Sequence, residues 1–514
     1  MASVSKISVI DPSKFEIKTL EGQRAFILAL NMPDGAFVNS AWQAHGSAMP
    51  LPVHNPAHPQ WGSIHTLHAA IPPQLDAAVM AAKAHSDNPS NAWAFNCAAR
   101  ANALDQFVSE LFAHKDELAT LESINSGWPM TVAKGSIDGA LDLLRGYAQH
   151  LRDHDIHSPT LRFEDAYAKY FEQHVPKGVV GSICPWNYPV WMMTWGVAAA
   201  LASGNTVILK SSEKAPLVAQ RFAQLLAASM PEGVFQYLPG AGDIGAALSS
   251  HPGIDHMTFT GSVTTGRKVE TAMRAHDGTV NLETGGKSPM VIVDANDALL
   301  DLAVDAVCQS VFWNGSGQNC AAFSRVIIAD DIYDTFRAKL IAKMTAGTIL
   351  GDPCDPQTNM GPLVDKLQYE NVTGMIDAAS KIKGVTVTTH LSEKIPYFVP
   401  PTIIENAPED SDIAQKEVFG PVVLLQRAHD LNDAVRIASN TSYKLAGAVF
   451  SNNPDVQAAV QRGVKSGTFC INKVDTYPWQ VVAPDWRTGS RGQVGIRALY
   501  DVFTNVRSVQ VAVS

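Results

Sequence analysis

Between residues 75 and 152 apolar side chains recur at intervals of three and four, first in DAAVMAAKAHSD and then from Ala98 to Leu121. That spacing predicts amphipathic helices, and Ser126-Gly127 supplies a stop for the second of them. From 159 to 175 the period shortens. PTLRFEDAYAKYFEQHV tends to alternate, which predicts the strands of a hairpin or edge ribbon. From 178 onward strands and helices take turns. GVVGSICP is a strand ending in a proline turn, VWMMTWGVAAALASG a helix closed by Gly204, and NTVILK a strand ahead of a helix over Ala215–Met230. GVFQYLPG, then IDHMTFTG with a helix after Ser262, then VNLETGG repeat the pattern. Short β-branched strands separated by helices predict a parallel, doubly wound sheet. A second α/β series runs from 289 to about 470, and a last strand is expected near 503–512.

Composition narrows this picture. A chain of 514 residues exceeds one simple core and predicts roughly two or three domains. With 46% hydrophobic and 17% charged residues it reads as a globular enzyme rather than a disordered chain. A net charge of −10 leaves no basic footprint, so neither nucleic acid nor an anionic membrane is an expected partner. No apolar run reaches the roughly 20 residues that cross a bilayer. The first residues lack a signal-peptide core, and the closing SVQVAVS matches no retention or lipidation signal, so a cytoplasmic location is expected. The six cysteines (Cys97, Cys184, Cys308, Cys320, Cys354 and Cys470) show neither metal-site spacing nor a disulfide framework. No metal is expected, and all but Cys320 read as ordinary buried thiols.

Cys320 lies in FWNGSGQNCAAFSRVII, after a Gly-Ser-Gly turn and before an apolar strand. Glycines there let the backbone approach a ligand, and a thiol at such a turn can be reached. The thiolate is the nucleophile, so a reactive cysteine needs a lowered pKa or a base. Taken alone, this local sequence favours a buried structural thiol. Glu283, at a strand end before Gly285-Gly286, suits a general base with room for a substrate, although taken alone its local sequence favours a solvated turn carboxylate. FTGSVTTGRKVE sets Gly261 and Gly266 between a strand and a helix, a plausible phosphate turn that is not the GxGxxG fingerprint.

In chain order VVGSICPWNYP, LKSSE, FTGS, LETGGKSP, GQNCA and KEVFGPV resemble the aldehyde dehydrogenase superfamily, and the likeness extends from about residue 35 to the end. The resemblance implies an α/β fold: a Rossmann-type cofactor domain, an α/β catalytic domain and a small β oligomerisation hairpin. Residues 1–157 and 177–286 would form the NAD-binding domain and 287–485 the catalytic domain. Residues 158–176 and 486–514 would bridge subunits, as a homodimer or homotetramer. It further implies that Cys320 attacks an aldehyde carbon, that the Asn187 amide and the Cys320 N–H hold the oxyanion, and that Glu283 activates the water that hydrolyses the thioester. NAD would lie against Trp186, Lys210, Glu213, Gly261, Ser262, Gly266, Glu417 and Phe419. A carboxylate at Glu213 accepts from ribose hydroxyls and repels a 2′-phosphate, which favours NAD over NADP.

Three features depart from the family's pattern. Gln493 stands where a glutamate is usual, Gly196 where many members carry lysine, and the loop before Cys320 has one extra residue. Without those two partners Glu283 would exchange protons through water alone. Ser211 replaces a proline in LKSSE, with little expected consequence. For the substrate, Tyr188, Trp195 and Trp313 match tunnel positions of betaine- and amino-aldehyde dehydrogenases, and Trp479 could add a fourth ring. Such a box, with Asp138 or Asp142 at its mouth, favours an amino- or trimethylammonio-aldehyde through cation–π contacts. The alternatives are a general aliphatic or aromatic aldehyde dehydrogenase, a CoA-acylating enzyme, or an inactive scaffold on the same fold.

Overall fold

The computed structural model describes residues 7–513, apart from 45, 47, 89, 390–394, 475–477, 482 and 486–491; for 483–485 and 492–494 it describes the backbone only. Among the described residues two seven-stranded sheets carry the architecture. In the first, the strands run in the order Thr279–Thr284, His256–Gly261, Val179–Ile183, Thr206–Lys210, Phe235–Tyr237, then Phe37–Val38 and Ala41–Trp42. The first five are parallel and the last two antiparallel. Thr206–Lys210 is buried along its whole length, as its unbroken apolar run requires of a strand covered on both faces. Helices Pro189–Ala202 and Pro216–Ser229 follow the strands as the periodicity predicts.

The second sheet runs Thr386–Thr389, Thr402–Glu405, Val422–Ala428, Arg325–Ala329, Pro289–Ile292, Ala446–Phe450 and Thr468–Ile471. Only its Thr386–Thr389 edge is antiparallel. The alternating segment forms a hairpin of Thr160–Glu164 and Ala168–Pro176, and Thr504–Ala512 adds a third antiparallel strand from the far end of the chain.

The helical stretch departs from the sequence reading in one respect. The run from Ala98 to Leu121 is two helices, Cys97–Ala113 and Lys115–Ser126, parted at His114, whose φ of −101° and ψ of 16° leave the helical range. The apolar period continues across the break, so periodicity alone does not reveal it. Gly127 ends the second helix in the left-handed conformation, φ 78°, with its N–H on Ser123.

Candidate active site

The strand order of the first sheet locates a ligand crevice. Val179–Ile183 has Thr206–Lys210 on one side and His256–Gly261 on the other, so the winding reverses beside it. In open α/β sheets ligands bind at the carboxyl ends of the strands at such a switch point. Those ends run into Trp186 and Asn187, into Lys210 and Glu213, into Gly261 and Ser262, and, on the edge strand, into Glu283 and Gly285-Gly286. Residues far apart in sequence thereby share one edge.

Within the crevice Lys210 is buried, which lowers its ammonium pKa from the ordinary lysine value, while Glu213 at 3.6 Å opposes that shift. Ser262 caps the helix Val263–Arg274, its Oγ accepting from the Thr265 N–H at 3.2 Å, and Gly266 lies in the first turn. The Trp186 ring meets Phe419 edge-on at 5.4 Å. Glu417 reaches the glycine pair: its Oε1 accepts from the Gly286 N–H at 2.9 Å. A Cβ on Gly285 would stand 2.0 Å from Glu417 Oε2, and one on Gly286 would stand 2.1 Å from the Cys320 carbonyl oxygen. The glycines of LETGG are therefore dictated by close approach. They let the Glu283 strand, Glu417 and the cysteine loop converge.

Asn187, Glu283 and Cys320 line one cavity of about 1110 Å³. Leu445 and Thr468, at the starts of strands in the second sheet, line it too, so the carboxyl edge of one sheet faces the amino edge of the other across it. Asn187 is buried and its Nδ2 donates to the Gln318 carbonyl at 3.1 Å, two residues before the cysteine. That bond fixes the amide plane and leaves a second N–H to point elsewhere. Cys320 is half-buried and Glu283 buried. Of the other cysteines, Cys184, Cys308 and Cys470 are buried as expected, whereas Cys97 and Cys354 are half-buried.

Tyr188, Trp195 and Trp479 line the cavity. Trp313 does not, and this corrects the sequence reading. Its indole N–H donates to Thr348 Oγ1 at 3.1 Å, away from the cavity. The reason is local: Cys308–Trp313 is wound as a π-helical turn, whose i→i+5 bonding changes the face each residue occupies. Gln309 lines the cavity from this turn. Asp138 pairs with Lys115 at 2.5 Å, and Asp142 is the one of the two acids that lines the cavity, with Arg145 Nη1 3.5 Å from it.

Gly196 also has a physical account. A Cβ there would meet Ser182 Oγ at 2.5 Å and Cys184 Sγ at 2.9 Å, so a longer side chain has no space. Burial pushes the Cys184 thiol up to about 12, which keeps it neutral and inert. The side chain of Gln493 lies outside the described residues.

Sequence reasoning missed two kinds of residue. One is Glu122, fully buried on the helix Lys115–Ser126, whose Oε1 accepts from the Val190 N–H at 2.8 Å. It thereby caps the helix that starts just after Asn187 and Tyr188, and burial pushes its carboxyl up to about 8. An unpatterned acid in an apolar helix was the only available signal. The other kind is the wall formed by Trp191 with Gly135, Gly139 and Gly146 of the helix Met130–Asp153, all lining the cavity. Its signal was the glycine spacing within a helix.

With this geometry in view, comparison with known proteins defines the class. Residues 42–509 match the family model described as "Aldehyde dehydrogenase family". Retinal dehydrogenase 2 of Taeniopygia guttata is 35% identical over 91% of this chain and 90% of its own. Among solved structures, the P. syringae indole-3-acetaldehyde dehydrogenase AldA, a mutant in complex with NAD+ and IAA, superposes with a TM-score of 0.89. It is 28% identical, over 96% of this chain and 100% of that one. Betaine aldehyde dehydrogenase from Staphylococcus aureus in complex with NAD+ gives 0.87 at 26% identity, over 95% and 97%. The chain belongs to the aldehyde dehydrogenase family and is an oxidoreductase of that family.

Proposed function

We propose that this enzyme oxidises an aldehyde to a carboxylic acid through a thioester on Cys320, with NAD as cofactor. The observation that carries the reading is the convergence of Asn187, Glu283 and Cys320 on one cavity beside the switch-point crevice. The Cys320 thiolate attacks the aldehyde carbon, forming a C–S bond and placing negative charge on oxygen. The free N–H of the Asn187 amide and the backbone N–H of Cys320 hold that oxyanion. NAD, when bound, supplies the acceptor for the hydride that leaves this carbon. Glu283 then takes a proton from water, the hydroxide adds to the thioester carbon, and the C–S bond breaks to return the thiolate and release the acid.

The crevice residues fit that cofactor. Glu213, on the Lys210 ammonium, suits ribose hydroxyls and repels a 2′-phosphate. Glu417, Phe419 and Trp186 form a cluster for the nicotinamide end, and the first turn of the capped helix at Ser262, with Gly261 and Gly266, suits the pyrophosphate. With Gly196 packed against Cys184, Glu283 returns its proton through water.

The ring-lined cavity holds the substrate's body. An amino- or trimethylammonio-aldehyde would gain about 0.5–2 kcal/mol per good cation–π pair. Three observations support instead an uncharged aliphatic or aromatic aldehyde: Trp313 is turned away, Asp138 is held by Lys115, and the Asp142 carboxylate shares its place with Arg145. Relatives named for betaine aldehyde, retinal and indole-3-acetaldehyde span both classes. Glu283 speaks against a CoA-acylating enzyme, in which a thiol rather than an activated water resolves the thioester.

We further place the enzyme in the cytoplasm as a homodimer or homotetramer. None of the six cysteines forms a disulfide, which suits a reducing compartment. The ribbon leaves Thr160–Glu164 as an open edge with Leu161 and Phe163 exposed, which suits pairing with a second copy. Among the described residues no helix is long and apolar enough to cross a membrane.

Cys320→Ala tests the mechanism. NADH formation from hexanal is expected to fall by about 10³-fold or more, and quenched mass spectrometry of the native enzyme should find the acyl adduct on Cys320. Aldehyde oxidation that survives the substitution would overturn the assignment.

A further inference from the structure

We infer that Gly139 and Gly146 determine the substrate class, opening the cavity to a flat, bicyclic aromatic aldehyde. The inference rests on the catalytic reading above and concerns another part of the lining of the same site. Gly135, Gly139 and Gly146 are spaced by four and seven residues in the helix Met130–Asp153, so a 3.6-residue repeat sets them on one face, and all three line the cavity. A helical glycine costs about 1 kcal/mol relative to alanine, and three on one face need a reason.

The neighbouring rings provide it. A Cβ on Gly139 would stand 2.8 Å from Trp191 Cζ3, and one on Gly146 would stand 2.3 Å from Trp479 Cδ2. At Gly135 no atom lies within 4 Å of that point, which is open cavity. The two indoles therefore rest directly on the helix backbone, and any side chain at 139 or 146 would drive them into the cavity. Trp195 meets Trp191 at 5.5 Å with a tilt of 54°, extending the aromatic wall. Indole faces set back by a bare helix leave a wide space flanked by π surfaces. Such a space favours offset stacking of a planar ring system over a thin alkyl chain. The cavity volume stands at the upper end of what small-molecule sites offer.

The test compares 2-naphthaldehyde, hexanal and betaine aldehyde, measuring kcat and KM with NAD for the native enzyme, Gly139→Ala and Gly146→Ala. Helix propensity favours both substitutions, and circular dichroism with a thermal melt of each variant checks that the displaced indoles leave the fold intact. The native enzyme should prefer 2-naphthaldehyde over hexanal in kcat/KM. That ratio should fall about tenfold or more in each variant, with the loss in KM, since one misplaced methyl in an apolar pocket is worth that much. Trp191→Leu, which removes the stacking face, should lower the same ratio. A ratio unmoved by the alanines, equal losses on both substrates, or a native preference for betaine aldehyde would overturn the inference and leave the catalytic reading intact. If the native enzyme oxidises no aldehyde, the catalytic reading fails. Quenching of tryptophan fluorescence by 2-naphthoate then decides the wall: binding weakened about tenfold in both alanine variants supports it, and no binding overturns it.

Discussion

The two walls of the cavity are built on different terms. On the proposed catalytic wall Asn187, Glu283 and Cys320 come from strand ends and the loops beside them, set by backbone geometry: an amide on the Gln318 carbonyl, a glycine pair pressed between Glu417 and the cysteine loop. The second wall is a helix stripped of side chains at three positions and covered by indoles from other segments at two of them, Gly139 and Gly146. Chemistry at the first wall tolerates no displacement of a donor or nucleophile. Volume at the second can change by one methyl and alter which substrate fits. Substitutions at the two walls should therefore separate: rate at the first, selectivity at the second.

After the loss of the thiol itself in Cys320→Ala, the next effect expected at the first wall is that of Glu283→Gln. General-base catalysis contributes about 10²–10⁴-fold, so steady-state turnover should drop by that order, while a burst of NADH equal to the enzyme present survives. Stopped-flow absorbance separates the two phases; a burst lost along with turnover would show that Glu283 acts before hydrolysis. Asn187→Ala comes next, with about 10²–10³-fold off kcat and little change in KM for aldehyde, the cost of one oxyanion donor. A loss confined to KM would move Asn187 to the binding wall.

The smallest effect concerns the support behind Asn187. Glu122 is pushed from 4.5 to about 8 by burial, so between those values it is protonated in the folded chain and ionised in the unfolded one. The folded state then binds more protons, and stability declines as pH rises through this window, by about 1.4 kcal/mol per pH unit. Glu122→Gln keeps an acceptor for the Val190 N–H and removes the titration. The native protein's Tm should fall relative to the variant's as pH rises from 6 to 8, read by thermal melts. Parallel curves would show that the carboxyl does not titrate there.

Much of the fold was legible because its signals are local. Buried parallel strands read as apolar runs, and glycine stops marked helix ends at Gly127 and Gly204. The candidate catalytic set was legible only through the resemblance carried by six motifs in order; the structure adds why the glycines of LETGG are required, by their close approach to Glu417 and the cysteine loop. What escaped was directional. Periodicity passed over the break at His114, and alignment of a ring position did not reveal that a π-helical turn directs Trp313 toward Thr348.

By itself, then, the sequence determined the family and the order of strands and helices, because apolar period and short motifs in a fixed order are local records; it also nominated the thiol, amide and carboxylate through that resemblance. The tertiary structure alone decided that Trp191 belongs to the cavity and Trp313 does not. It also showed that Gly196 is filled in by Cys184 and Ser182, and that a buried carboxyl at 122 supports the helix behind Asn187. Those outcomes depend on which face of an element meets which neighbour, a relation between segments far apart in the chain that no local pattern records.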